Sequence, residues 1–253
     1  MPVEQPKAYK IVAEEPQFLV VSKSPGINIH NERLSPGKSG EFSQDSSAIG
    51  LVNLLREDFQ RDDLLPVHRL DKATSGLLLI GKGSESTSEL SKLFQRKEVI
   101  KFYWAIAEGK PNKKQGKVKG DIVKTRGGSY RLSKTYDSPS LTQFQSYSLA
   151  PGIRAYLLKP LTGKTHQLRV VMKSLGVPIL GDERYGNKTQ KHRYDFENSI
   201  NRMCLHATAI RFFAFGKWYQ YEDTPQFNLE IDGAILELIN SLCSVFDQSF
   251  PGN

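Results

Sequence analysis

The chain has 253 residues, 38% hydrophobic and 25% charged, ordinary values for a globular protein that can bury a core without a metal or disulfide staple. No stretch approaches the roughly 18 unbroken apolar residues of a membrane helix, and the opening MPVEQPKAYK lacks the apolar run of a secretory signal. The net charge of +8 is uneven: Arg96 to Lys134 holds 12 basic and 3 acidic residues, whereas 221–253 holds 6 acidic residues and no Lys or Arg.

A basic block in an otherwise near-neutral chain is an electrostatic footprint for a polyanion, or else a solvated loop. Cys204 and Cys243, widely spaced, read as reduced thiols. A cytoplasmic protein with no membrane partner is expected. A monomer is expected too, because no large apolar surface pattern stands out. Asn187-Lys188-Thr189 matches a glycosylation acceptor and, without a secretion signal, reads as chance.

In chain order, Phe18–Ser22 reads as a strand closed by the turn Ser24-Pro25-Gly26. Leu34–Ser47, rich in Ser, Gly and charge, reads as an exposed loop. Ala48–Phe59 has helical spacing with Ile49, Val52 and Leu55 or Phe59 on one face. Leu77–Ile80 is a buried strand. Ser86–Arg96 is a helix with Leu90, Leu93 and Phe94 inward and a Ser or Thr cap at its start. Lys101–Glu108 alternates and is a strand. Lys110–Gly128 reads as hairpins and loops. Ala155–Lys159 is a strand, His166–Leu175 a helix, and Arg211–Gln220 one aromatic strand. Ala234–Phe246 is a closing helix, expected on the far side of the domain. No linker divides the chain.

Familiar cofactor motifs fail. Gly163-Lys164-Thr165 looks like the end of a phosphate loop, but Leu158 stands where that loop needs glycine. No dinucleotide fingerprint and no hydrolase elbow appears. The five histidines have no metal-ligand spacing. No cofactor and no metal is expected.

The chemistry concentrates in Val67-His68-Arg69-Leu70-Asp71-Lys72-Ala73-Thr74-Ser75-Gly76. Here a carboxylate sits between basic residues at the entrance to a buried strand. Such a carboxylate can act as nucleophile or base, or simply cap a turn. His-Arg-Leu-Asp-x-x-Thr-Ser-Gly resembles the central motif of the RluA family of pseudouridine synthases. Four further segments match in order. They are Phe18–Gly26 with its Lys23 turn, Lys101-Phe102-Tyr103-Trp104-Ala105, and Leu161-Thr162-Gly163-Lys164-Thr165-His166-Gln167-Leu168-Arg169, then Gly176–Gly186 with Leu205-His206-Ala207. Two positions depart: the proline of the opening turn comes one place late, and Lys164 replaces an arginine and loses its planar fork.

The resemblance implies an α+β fold with a mixed, largely antiparallel sheet, flanking helices and a cleft. It implies one catalytic domain over 1–253, with motifs in about 11–220 and an acidic helical segment at 221–253. It implies isomerisation of uridine to pseudouridine in rRNA or tRNA without cofactor. RNA choice would rest on the catalytic domain and its loops, since no separate basic RNA-binding domain precedes Phe18. By the match, Asp71 is the catalytic carboxylate. Tyr103 stacks on the base or moves a proton, and Arg169 pairs with Asp71. Arg69 is the candidate to fill the space of a flipped base. Leu168 and Leu205 line the uracil pocket. Lys164, Lys113, Lys114, Lys117 and Lys119 contact RNA, the last four neutralising phosphates beside the cleft. His68 and His166 are expected to be structural. The basic block alone supports a rival, a non-catalytic RNA-binding or RNA-folding factor. A hydrolase cutting the same glycosidic bond would release free uracil.

Overall fold

A computed structural model describes residues 7–31, 49–186, 202–227, 229, 232–242, 244–248 and 250. The expected loop Leu34–Ser47, the segment Asn187-Lys188-Thr189 and Cys243 lie outside the described residues.

The elements are β1 (Tyr9–Glu14), β2 (Phe18–Lys23), α1 (Leu51–Phe59), β3 (Leu64–Pro66), β4 (Ser75–Lys82), α2 (Ser84–Gln95), β5 (Ile100–Glu108), β6 (Gln115–Lys124), β7 (Tyr130–Ser133), β8 (Ser140–Ala150), β9 (Ile153–Pro160), α3 (Gln167–Ser174), β10 (Leu205–Ala214), β11 (Lys217–Glu222) and α4 (Asp232–Ser241). The described strands form one sheet in the order β1-β2-β4-β10-β5-β9-β8-β6-β7, with β11 on β10 and β3 on β4. The β4–β10 contact is parallel. The other pairings are antiparallel. The fold is thus α+β with a mixed, mostly antiparallel sheet.

The parallel contact joins the two halves of the sheet, and Gly76 permits it. Its φ is +104°, and a Cβ there would lie 2.3 Å from the Ala207 carbonyl oxygen. Beside it, His206 bonds Ser75 Oγ through Nδ1 at 2.9 Å and faces Asp223 Oδ2 with Nε2 at 3.1 Å. Ser75 Oγ, buried at this join, is thus hydrogen-bonded, and the imidazole faces a carboxylate.

Local differences from the sequence reading have physical causes. The expected single strand Arg211–Gln220 is the hairpin β10–β11. Phe215 and Gly216 (φ 48° and 78°) form its two-residue turn, the left-handed geometry that matches strand twist. Lys110–Gly128 contains the ten-residue strand β6, not only hairpins and loops. There Lys117 and Lys119 point out while Val118 is half-buried, a one-sided alternation hidden by glycine and lysine. In α1 the buried residues are Leu51, Val52 and Leu55, and Ile49 precedes the helix, 36% exposed. Helix α2 has no side-chain cap. Gly83 occupies the cap, and Thr87 Oγ1 donates back to its carbonyl instead. Leu90 of α2 is buried, with Leu93 and Phe94 packed around the same cluster. Helix α4 ends at Ser241, and a separate short 3-10 turn follows at Val245–Asp247. The rings of Phe246 and Phe250 pack on Phe102. Phe102 lies on the face of β5 opposite Tyr103, because successive strand residues alternate.

Candidate functional site

The loop between β3 and β4 is anchored from several sides. His68 stacks on Phe94 with ring centroids 4.4 Å apart. Its Nε2 accepts the Leu79 amide at 3.1 Å, which requires a bare Nε2 and a neutral ring. Burial, reinforced by the Lys101 charge, pushes its pKa down to about 3. This makes a stability prediction. In the unfolded chain the ring titrates near 6.5, so between those values the unfolded state binds more protons. Stability is complete above pH 6.5 and falls as pH drops toward 3, by up to roughly 4 kcal/mol. Urea unfolding at several pH values should show a flatter acid limb for His68→Gln. An unchanged limb would contradict the assignment.

Behind the loop, the buried Lys23 Nζ donates to the carbonyls of Ser24 (2.8 Å), Ile27 (3.0 Å) and Lys72 (3.0 Å). Burial lowers its pKa to about 7, with the Arg202 charge adding and Asp71 opposing. The Gly26 amide also donates to the Lys72 carbonyl at 2.8 Å. The turn after β2 thus pins the residue next to Asp71.

Asp71 keeps 22% of its side chain exposed at the floor of a cleft of about 830 Å³. Two cation-capable groups face its Oδ2: Arg169 Nη1 at 3.5 Å and His166 Nε2 at 3.9 Å. The expected grip of Arg169 on Asp71 takes a different form. The Arg169 fork is bidentate on Asp182, Nε and Nη2 each donating at 2.8 Å. Asp182 has a fully buried side chain. Its Oδ1 also accepts the Arg184 and Tyr185 amides at 3.0 Å. A carboxylate so placed outcompetes a half-exposed one for the fork, which leaves Nη1 aimed at Asp71. The guanidinium also lies 5.0 Å from the Tyr185 ring centroid. Asp182 was not expected as a partner, although it lies within the matching segment Gly176–Gly186.

His166, expected to be structural, stands at the start of α3 in a left-handed conformation (φ 54°). Its Nδ1 lies 2.8 Å from Tyr185 Oη, which accepts the Tyr130 amide at 3.0 Å. If Tyr185 Oη donates to Nδ1, the neutral ring carries its proton on Nε2, facing Asp71. Burial lowers the His166 pKa, while the Asp71 charge opposes.

Tyr103 stands on β5 between Ala207 and Leu158 of the neighbouring strands. Burial raises its pKa and the Asp71 charge adds, so the phenol stays protonated. Leu168 and Leu205, 7% and 3% exposed, line the same cleft. Six cationic residues line it as well: Arg69, Lys97, Lys101, Lys159, Lys164 and Arg169. Asp71 is the only Asp or Glu among the described lining residues. Arg69 is exposed, and Lys164 Nζ donates to Ser138 Oγ at 2.8 Å. Lys113, Lys114, Lys117 and Lys119 are exposed but do not line the cleft. The part of the basic block that does so is Lys97 and Lys101. No helix among the described residues is long and apolar enough to cross a membrane.

Comparison with known proteins defines the class. Residues 17–174 match the family model for RNA pseudouridylate synthase. An uncharacterized RNA pseudouridine synthase of Haemophilus influenzae is 42% identical over 203 residues, covering 80% of this chain and 81% of that protein. Ribosomal large subunit pseudouridine synthase C of Rickettsia felis is 34% identical over 201 residues, covering 77% of this chain and 62% of that protein. The solved structure of human RNA Pseudouridylate Synthase Domain Containing 1 has the same fold, with a TM-score of 0.72 at 24% identity, over 98% of this chain and 100% of that one. The chain belongs to the RNA pseudouridine synthase family, isomerases that convert uridine in RNA to pseudouridine.

Proposed function

We propose that this chain isomerises uridine in a structured RNA, with Asp71 as its catalytic carboxylate. The observation that carries this reading is a single carboxylate in a cleft lined by six cations. Ribosomal RNA of the large subunit is the first candidate substrate, because a relative is named for it. Transfer RNA is the second. The working unit is one chain with one catalytic domain.

In the reaction, the bond from ribose C1′ to uracil N1 breaks and the base turns. C5 then bonds to C1′, C5 loses a proton, and N1 gains one. Asp71 serves the sugar–base junction. Arg169 Nη1 and His166 Nε2 face its Oδ2 and fix its direction. The Tyr103 ring offers a flat face to the detached base, with its oxygen available for proton movement. Leu168 and Leu205 close the sides, so the base stays bound rather than leaving as free uracil. Lys97, Lys101, Lys159 and Lys164 of the cleft meet phosphates. Lys113, Lys114, Lys117 and Lys119 act farther out, adding affinity and salt dependence rather than sequence choice.

Arg69 is exposed at the cleft, and among the described residues its guanidinium has no hydrogen-bond or ion-pair partner. It is free to enter the stack vacated by the target base, where flipping costs a few kcal/mol. Arg69→Ala is expected to lower pseudouridine formation about 10- to 100-fold on a base-paired target. The loss should be much smaller on an unpaired loop. Equal losses on both RNAs would remove the flipping role.

A further inference from the structure

The rim of the cleft carries an aromatic residue that neither the fold nor the reaction uses. Residues 134–139 link β7 to β8, and Lys134 to Ser138 are all exposed. The loop is nevertheless clamped. The Asp121 carboxylate, on a residue 8% exposed, accepts the amides of Asp137 and Ser138 at 3.0 Å each. The Asp121 amide donates to the Thr135 carbonyl at 3.1 Å. Lys164 Nζ ties Ser138 Oγ from the cleft side. Ser138 and Pro139 themselves line the cleft.

Tyr136 stands out of this clamped loop, 59% exposed. Lys119 Nζ lies 5.5 Å from its ring centroid. A large aromatic left this open forgoes the gain of burial, and a fixed loop means it presents its face without an ordering cost. An exposed ring beside a cation is the chemistry of a nucleobase platform. The loop's one acid with an exposed position, Asp137, is outnumbered by Lys119, Lys134 and Lys164.

We propose that Tyr136 stacks on an unpaired base of the RNA substrate flanking the target uridine, with Lys119 and Lys164 taking the adjoining phosphates. The proposal rests on the RNA-isomerase reading and extends it. A uridine drawn into the cleft leaves its neighbour without a stacking partner on one side. The rim that continues from the cleft wall is where that neighbour arrives. It also gives Lys119, which lies outside the cleft, a place in the interface.

The test is filter binding to an unmodified transcript of large-subunit rRNA, as a function of salt, with pseudouridine formation measured on the same transcript. Tyr136→Ala should weaken binding about tenfold and leave the salt slope unchanged. Tyr136→Phe should restore wild-type affinity, because the ring and not the hydroxyl does the work. Lys119→Ala should lower the salt slope by about one ion. Wild-type affinity in Tyr136→Ala, or no recovery in Tyr136→Phe, would overturn the stacking role. With unmodified tRNA run in parallel, binding by the wild type without pseudouridine on either RNA would overturn the isomerase reading, and the Tyr136 binding result is read separately from it.

Discussion

Asp71→Asn is expected to reduce pseudouridine formation by at least about a thousandfold while RNA affinity is essentially kept. The replacement is isosteric, so the loop anchored by Lys23 and His68 should hold its shape. What disappears is the negative charge and the lone-pair basicity at Oδ2, the atom facing Arg169 and His166. A group that acts in the bond-breaking step contributes rate on this scale. Phosphate neutralisation by the cleft cations does not depend on it. Loss of activity without loss of binding is therefore the signature to seek in single-turnover assays run beside filter binding. Full activity in Asp71→Ala would end the catalytic assignment, and would favour a protein whose role is RNA binding alone.

Arg169 should show a different pattern, because its guanidinium contacts two carboxylates, Asp182 and Asp71. Arg169→Met removes the bidentate partner of Asp182, whose side chain is fully buried. An uncompensated buried carboxylate costs about 3–5 kcal/mol, which in a chain of this size lowers Tm by roughly 10 °C. Activity should fall as well, since Nη1 no longer orders Asp71. The double variant Arg169→Met with Asp182→Leu separates the two effects. It removes both charges, so much of the stability should return while activity does not. Thermal melts of the wild type, the single variant and the double variant would decide this. An unchanged Tm in Arg169→Met would contradict the buried pair, and recovered activity in the double variant would contradict the link to Asp71.

Much of the site was legible because its chemistry is written in short segments. Asp71 precedes a strand whose apolar run is unmistakable, and Tyr103 sits in an alternating strand. Their approach across the β4–β10–β5 join was not visible from local pattern, since it depends on pairing residues 130 positions apart, such as Ser75 with Leu205 and the parallel contact at Gly76. The Arg169 fork illustrates the same limit. Sequence names the guanidinium, but the choice between two carboxylates is made by burial and by two backbone amides that only the turn at Asp182 supplies. The approach of His166 Nε2 to Asp71 Oδ2 at 3.9 Å was hidden for a related reason. His166 stands at the start of α3 in a left-handed conformation, and no residue pattern encodes which way its ring then faces.

The fold was readable where apolar runs are long and was missed where strands are polar. Strand β8 went unassigned because its buried positions include Thr142 and Gln143, whose burial depends on partners such as Gln167, which donates to Thr142 Oγ1 at 2.9 Å. Strand β1 lies at the sheet edge and buries little, so its alternation is weak. The basic block misled in position rather than in sign. Charge along the sequence located a cationic stretch, but the cleft draws its cations from three stretches, Arg69, Lys97 with Lys101, and Lys159 with Lys164 and Arg169, which the fold brings together.

The most direct measurement is pseudouridine mapping after purified wild-type protein meets unmodified large-subunit rRNA and tRNA, with Asp71→Asn run in parallel. New pseudouridine is expected at one or a few discrete uridines with the wild type and none with Asp71→Asn. Pseudouridine formed equally by both proteins would contradict the role of Asp71. No pseudouridine from the wild type on either RNA, despite tight binding, would contradict the proposed reaction.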